Sequence, residues 1–168
     1  MEDLLIREAI PEDAENILAY LNKIGGESNN LLFGKNEFKI SIDEEKEIIE
    51  SKHNSKTNLM LIAILDKKIV STSTLMGFNK KRIAHRGRIA ISVQKEYWNK
   101  GIGTKMMTRI IEYAKKVGII VIELEVKTDN INVITLYEKL GFVKIGIYKK
   151  YFKINNKYFD SYLMNLYL

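Results

Sequence analysis

RIAISVQKEYWNKGIGTKMM, residues Arg88 to Met107, decides how the rest of the chain is read. Ile89–Val93 is an apolar run of strand length. A short polar and aromatic loop follows. It ends in Lys100-Gly101-Ile102-Gly103-Thr104 and opens at once into an amphipathic helix. The first turn of a helix carries backbone N–H groups with no intrahelical acceptor, and the helix dipole adds partial positive charge there. Glycine lets an anion approach the main chain without meeting a Cβ. Strand, glycine turn and helix start therefore read as a pyrophosphate site.

Downstream, Ile102, Met106, Met107, Ile110, Ile111, Ala114 and Val117 fall on one helical stripe, with Lys105, Arg109, Glu112 and Lys116 largely off it. The methionine pair reads as core filler. Gly118 ends the helix, Ile119–Lys127 is a central strand, and Asp129-Asn130 can cap a helix over Ile131–Leu140. Gly141 closes that helix. Phe142–Phe152 and Tyr158–Leu168 form a last hairpin turning at Asn155-Asn156.

Upstream, Leu4–Ala9 reads as a first strand. Pro11-Glu12-Asp13 starts a helix that Gly25-Gly26 stops. Glu27–Lys39 is an irregular loop. Ser41-Ile42-Asp43-Glu44 is a capping box opening a second helix to about Lys52. Asn58–Leu65 and Ile69–Phe78 make a hairpin across Asp66-Lys67-Lys68, and His85–Val93 is the strand that enters the glycine turn. The order β-α-α-β-β-β-α-β-α-β-β is not the alternation of a doubly wound fold. It predicts an α+β (mixed α/β) domain spanning 1–168, with one mostly antiparallel sheet of about seven strands and helices on both faces.

The 168 residues suffice for one domain with a proper core. No apolar run is long enough to span a membrane. The opening MEDLLIREAI is acidic and runs into a strand pattern, unlike a secretory leader, so a cytoplasmic protein is expected. The absence of Cys excludes a disulfide framework, thiol catalysis and Cys-ligated zinc. The net charge of +6 is uneven: residues 1–84 sum to −2 and residues 85–168 to +8. The basic half holds the glycine turn. With no dense Lys/Arg run, a polyanionic cofactor accounts for it better than nucleic acid.

Gly101-x-Gly103 alone is a weak signal. It lacks the third glycine of a dinucleotide fingerprint and the Gly-Lys-Ser/Thr of a nucleoside-triphosphate loop. It sharpens beside Asn130-Ile131-Asn132-Val133-Ile134-Thr135-Leu136-Tyr137-Glu138-Lys139-Leu140-Gly141-Phe142. Together these segments resemble the GNAT N-acetyltransferase superfamily, whose signatures are Gln/Arg-x-x-Gly-x-Gly/Ala after the fourth strand and Asn-x-x-Ala-x-x-Leu-Tyr-x-Lys-x-Gly-Phe after the fifth. Trp98 stands where Gln or Arg begins the first, and Val133 where Ala stands in the second.

The resemblance implies acetyl-CoA as cofactor and direct acetyl transfer to a primary amine, either a small molecule or a protein N-terminus. It implies backbone donors from Asn99, Lys100, Gly101, Ile102, Gly103 and Thr104 for the pyrophosphate. Lys100 and Lys105 would add charge. The main chain of Ile91 and Val93 would meet the pantetheine arm, with the Val93 amide at the thioester carbonyl. Asn130 would bond the arm, or cap its helix. Tyr137 would protonate the departing thiolate. For the general base, Glu27 leads, Glu125 and His85 follow, and a water relay stays open. Loop Glu27–Phe38 and Tyr148, Tyr151, Phe152, Tyr158 and Phe159 are candidate acceptor walls, although aromatics in a terminal hairpin more often serve a core or a dimer. The resemblance allows a homodimer. A non-catalytic acyl-CoA-binding module is the alternative, and it would not need Tyr137.

Overall fold

The computed structural model describes residues 3–168; Met1 and Glu2, the start of the acidic opening stretch, lie outside them. The elements follow the expected order: β1 (Leu5–Glu8), α1 (Ala14–Ile24), α2 (Ile42–His53), β2 (Leu59–Leu65), β3 (Lys68–Gly77), β4 (Arg86–Val93), α3 (Ile102–Lys116), β5 (Val121–Lys127), α4 (Ile131–Lys139), β6 (Val143–Ile154) and β7 (Lys157–Tyr167). Single 3-10 turns precede α1 at Pro11–Asp13 and follow β4 at Lys95–Tyr97. The seven strands form one sheet in the order β1-β2-β3-β4-β5-β7-β6. Only β4 and β5 pair in parallel. The chain must cross from the end of one to the start of the other, and α3 is that crossover.

The sheet separates two cores. Leu59, Leu61 and Ala63 of β2 face the larger one, with Met106, Met107, Ile110 and Ala114 of α3 and Ile134 and Tyr137 of α4. Met60 and Ile62 point the other way, onto Ala14 and Ile17 of α1 and Ile49 of α2. A strand apolar at every position is what burial on both faces requires. Met106 and Met107 are fully buried, as filler should be.

Local chemistry fixes the ends. Ser41 N–H donates to Glu44 Oε2 at 2.6 Å and Glu44 N–H to Ser41 Oγ at 3.2 Å, the reciprocal cap read from the sequence. Asp66-Lys67 and Asn155-Asn156 both turn with two successive left-handed residues, the geometry that suits a tight hairpin.

The first helix stops at Gly25-Gly26 as expected: Ile24 is the last residue of α1, and Gly25, at φ −57°, is its C-cap. Its lack of a side chain serves packing, because a Cβ there would overlap the Gly34 carbonyl of the following loop. The terminal hairpin is mostly not core. Only Phe152 of its named aromatics is buried, while Tyr148, Tyr151 and Tyr158 are exposed, because β6 is the sheet's outer edge. Among the described residues, no helix is long and apolar enough to cross a membrane.

Candidate active site

β4 has eight residues, but only Arg86, Gly87 and Arg88 pair with β5, opposite Val121, Ile122 and Glu123. From Ile89 to Val93 it is held by β3 alone, through Leu75 to Ser71. β5 meanwhile runs on to Lys127 against β7. The two central strands therefore part like a fork.

The closed end is clamped by charge. Glu123 accepts from Arg86 at 2.6 Å and from Arg88 at 2.9 Å. Partial burial alone would raise the Glu123 carboxyl, but the two guanidinium partners outweigh it and hold the group below the usual carboxylate range.

Strand geometry sets which groups face the opening. The His85 carbonyl accepts from Ile120 on the β5 side, and the Arg86 carbonyl accepts from Phe78 on the β3 side. Backbone groups alternate along a strand, so Ile89, Ile91 and Val93 present theirs toward β5, inside the fork.

The loop after β4 ends in a strained turn. Asn99 and Gly101 are left-handed, at φ 60° and 77°, and Gly101 caps α3 with no side-chain bond. Among the described residues, the amides of Asn99 to Thr104 have no protein acceptor; the first bond here is Lys105 N–H to the Gly101 carbonyl at 3.1 Å. A Cβ on Gly101 would meet nothing within 4 Å, so that side of the turn is open. At Gly103, a Cβ would touch Leu136 at 3.4 Å and Val93 at 3.9 Å. The turn, the end of β4 and α4 thus meet at one point. Unbonded amides at the start of a four-turn helix, with exposed Lys100 and Lys105 nearby, fit a diphosphate. Lys100 Nζ lies 5.0 Å from the Tyr97 ring centroid.

α4 supplies the next residues. Tyr137 follows Leu136, is buried and packs against Phe142 at 5.6 Å between ring centroids. Its hydroxyl has no bond among the described residues, and burial pushes its pKa far above the usual phenol value. Asn130 precedes α4 and makes no side-chain cap, and Asp129 is drawn to Lys127 Nζ at 2.8 Å. The expected side-chain cap is therefore absent. The Asn130 backbone N–H donates to the Lys127 carbonyl at 3.0 Å, while its side-chain amide has no hydrogen bond among the described residues.

The base candidates separate. Glu27 Oε2 accepts from the Lys95 amide at 2.7 Å, so the first loop reaches the open end of β4. Glu125 lies on β5 two residues past the last parallel pair, largely buried, 3.4 Å from Arg88. Burial, then the Glu125 charge, raises the phenol of Tyr151 on the terminal hairpin. A backbone irregularity between Tyr148 and Phe152 stacks Tyr148 on Tyr151 at 5.4 Å. His85 is exposed at the far end of β4, about 26 Å of strand from Val93, and drops out.

Two features escaped the sequence reading. Tyr20 on α1 is buried with its hydroxyl 3.1 Å from Ser92 Oγ, which lies 3.1 Å from Thr72 Oγ1. Burial raises this phenol beyond its usual range, and Glu27 adds to the shift. Nothing in the one-dimensional pattern marks Tyr20 beyond its place in an amphipathic helix. The second is Trp98, whose indole N–H donates to the Val93 carbonyl at 2.7 Å. Its departure from the family pattern was the available signal.

A sequence profile described as the Acetyltransferase (GNAT) family matches residues 29–142. The chain belongs to the GNAT acetyltransferase family. An acetyltransferase of the GNAT family from Streptococcus pneumoniae superposes with a TM-score of 0.96 at 32% identity, over 99% of this chain and 100% of that one. An L-amino acid N-acetyltransferase of Escherichia coli is 32% identical over 105 residues, 62% of this chain and 65% of that protein. The ribosomal protein bS18 alanine N-acetyltransferase of the same species is 32% identical over 76 residues, 45% of this chain and 51% of that one. The matched segments thus span less than two thirds of these curated relatives. In this GNAT chain the profile takes in the loop after α1, both fork strands, the glycine turn and α4.

Proposed function

We propose that this GNAT protein transfers the acetyl group of acetyl-CoA directly to a primary amine. The observation that carries the reading is the fork. The main chains of Ile91 and Val93 face an opening whose mouth adjoins six unbonded amides at the start of α3. The amides of Asn99 to Thr104 would hold the diphosphate, and Lys100 and Lys105 would add charge. Ile91, Val93 and the free side chain of Asn130 would hold the pantetheine arm.

Acetyl-CoA supplies an activated acetyl carbonyl and a thiolate leaving group. The Val93 amide is a donor for the oxygen of that carbonyl and stabilises the negative charge it gains. The acceptor amine must lose a proton to attack. Glu27 and Glu125 are the carboxylates that flank the opening, and Glu27 leads because the loop bearing it also forms the acceptor side. Tyr137 holds its proton across the physiological range, since burial raises its pKa. It donates that proton to the departing sulfur. One C–N bond forms and one C–S bond breaks; the ammonium gives up two protons, one released through the base before attack and one as the amide forms, and the second balances the proton that Tyr137 gives to sulfur. No Cys is present to carry the acetyl group, in keeping with direct attack.

Family membership and the hydroxyl of the buried Tyr137, unbonded among the described residues, favour transfer over a binding-only module. Small amino-bearing metabolites and protein N-termini are the acceptor classes, in the cytoplasm. A homodimer is part of the same reading: Val143, Ile145 and Ile147 stand half exposed on the edge strand, and sedimentation checks it. The test of function is release of free thiol from acetyl-CoA against a panel of amines, amino acids and N-terminal peptides. Binding of acetyl-CoA with no thiol release for any acceptor would return the protein to the binding-module class.

A further inference from the structure

We infer that Trp98 is a positioning residue that pre-sets the glycine turn for coenzyme A; this rests on the acetyl-CoA reading above. The indole N–H closes a five-residue loop by donating to the Val93 carbonyl at 2.7 Å. The Trp98 amide folds the same segment by donating to the Lys95 carbonyl at 3.1 Å. Side chain and main chain together fix where the chain leaves β4 and enters the turn. The next residue, Asn99, and then Gly101 are both left-handed, so the amides of the turn depend on this starting point. A loop already held in its binding conformation loses less conformational entropy when a ligand arrives.

The bond has a second consequence. Val93 presents both its N–H and its C=O toward the fork, because both lie on the same side of a strand residue. Trp98 takes the carbonyl. The amide is left as the group that Val93 offers to a carbonyl oxygen, and the oxygen that would repel developing negative charge is already bonded. Trp98 stays 39% exposed, so it is not there to fill a core. A side chain that is partly in solvent yet hydrogen-bonded to the end of the fork strand acts through the loop it ties down.

Trp98 is the only tryptophan in the chain, so the wild-type protein carries its own reporter. Titration with coenzyme A, corrected against N-acetyltryptophanamide, is expected to change the indole emission saturably, with the dissociation constant measured by calorimetry. Trp98→Phe keeps the ring and removes the N–H. Losing one neutral hydrogen bond predicts a fall in acetyl-CoA affinity of about 3- to 10-fold. Freeing the Val93 carbonyl beside the developing charge should also lower turnover at saturating acetyl-CoA, while the thermal midpoint of the free protein stays near wild type. Emission indifferent to saturating coenzyme A, or an unchanged calorimetric constant in Trp98→Phe, overturns the inference while leaving the acetyl-CoA reading intact. A wild-type chain that binds no coenzyme A by calorimetry overturns both. A variant with lowered midpoint and lowered turnover but unaltered affinity would make Trp98 merely structural, which also overturns it.

Discussion

The two halves of β4 are neighbours in one strand and could hardly differ more in what they touch. From Arg86 to Arg88 the strand is paired on both sides, and its arginines share Glu123. From Ile89 to Val93 it is paired on one side only. The closed half satisfies its polar groups within the protein; the open half leaves some of them for something else. An unpaired strand edge inside a sheet is a liability for folding unless a ligand is meant to complete it. The lesson is that the site is made by ending a pairing, and the charged clamp beneath is what makes that ending abrupt.

The sharpest way to test the open half is Tyr137→Phe. Removing the proton donor is expected to lower kcat by about 100-fold, with acetyl-CoA affinity unchanged by calorimetry. The wild-type pH–rate profile adds a check of sign. Because burial raises the Tyr137 pKa, its donor form persists as pH rises, and no loss of rate from this group should appear up to pH ~10, where an ordinary tyrosine begins to ionise.

Next come the carboxylates. Glu27→Gln keeps an oxygen to accept from the Lys95 amide but cannot take a proton. If Glu27 is the base, kcat/KM falls by at least about 10-fold and the acidic limb of the profile is displaced. If Glu27 only ties the loop to β4, Glu27→Gln is silent and Glu125→Gln produces that loss instead.

A backbone change at the mouth should be felt in binding. Gly101→Ala puts a Cβ on a residue at φ 77°, at a cost of about 1–2 kcal/mol. Acetyl-CoA affinity should fall about 10-fold if the strain is released by moving the turn. Calorimetry with coenzyme A reads this directly.

The smallest effect belongs to the closed half. Glu123→Gln removes the charge shared by Arg86 and Arg88 and should cost about 1–2 kcal/mol in urea unfolding at neutral pH, with little change in coenzyme A binding. The Glu123 pKa is lowered in the folded state, so its contribution is complete above the unfolded value near 4.5 and is lost as pH falls through the lowered one. The stability curves of variant and wild type should therefore converge in acid. If they stay parallel, the clamp is not electrostatic.

Much of this was legible along the chain. The capping box at Ser41, the stripe of α3 and the turns at Asp66 and Asn155 depend on contacts within a few residues, and such contacts leave periodic or local signatures. The likeness carried by Gly101-x-Gly103 and the Asn130–Phe142 segment led to the right family. Other readings fell short where distant chain segments decide. Gly25 does stop α1, but its packing role was not legible, because Gly34 returns over it from the following loop. Asp129 and Asn130 looked like caps, but Lys127 captures one and the side chain of the other is left free. Tyr148, Tyr151 and Tyr158, read as core or dimer aromatics, are not core, because β6 ends the sheet and leaves them exposed.

Which elements form, in what order, and where an anion could meet a helix start all follow from spacing and residue type within single segments. The folded chain settles the rest: where β4 and β5 part, that Trp98 donates to the Val93 carbonyl, and that Glu27 comes to the mouth of the fork while His85 stays at the far end. Those facts depend on how strands align in register and how loops return across the sheet, and side-chain identity along the chain does not encode distance in space.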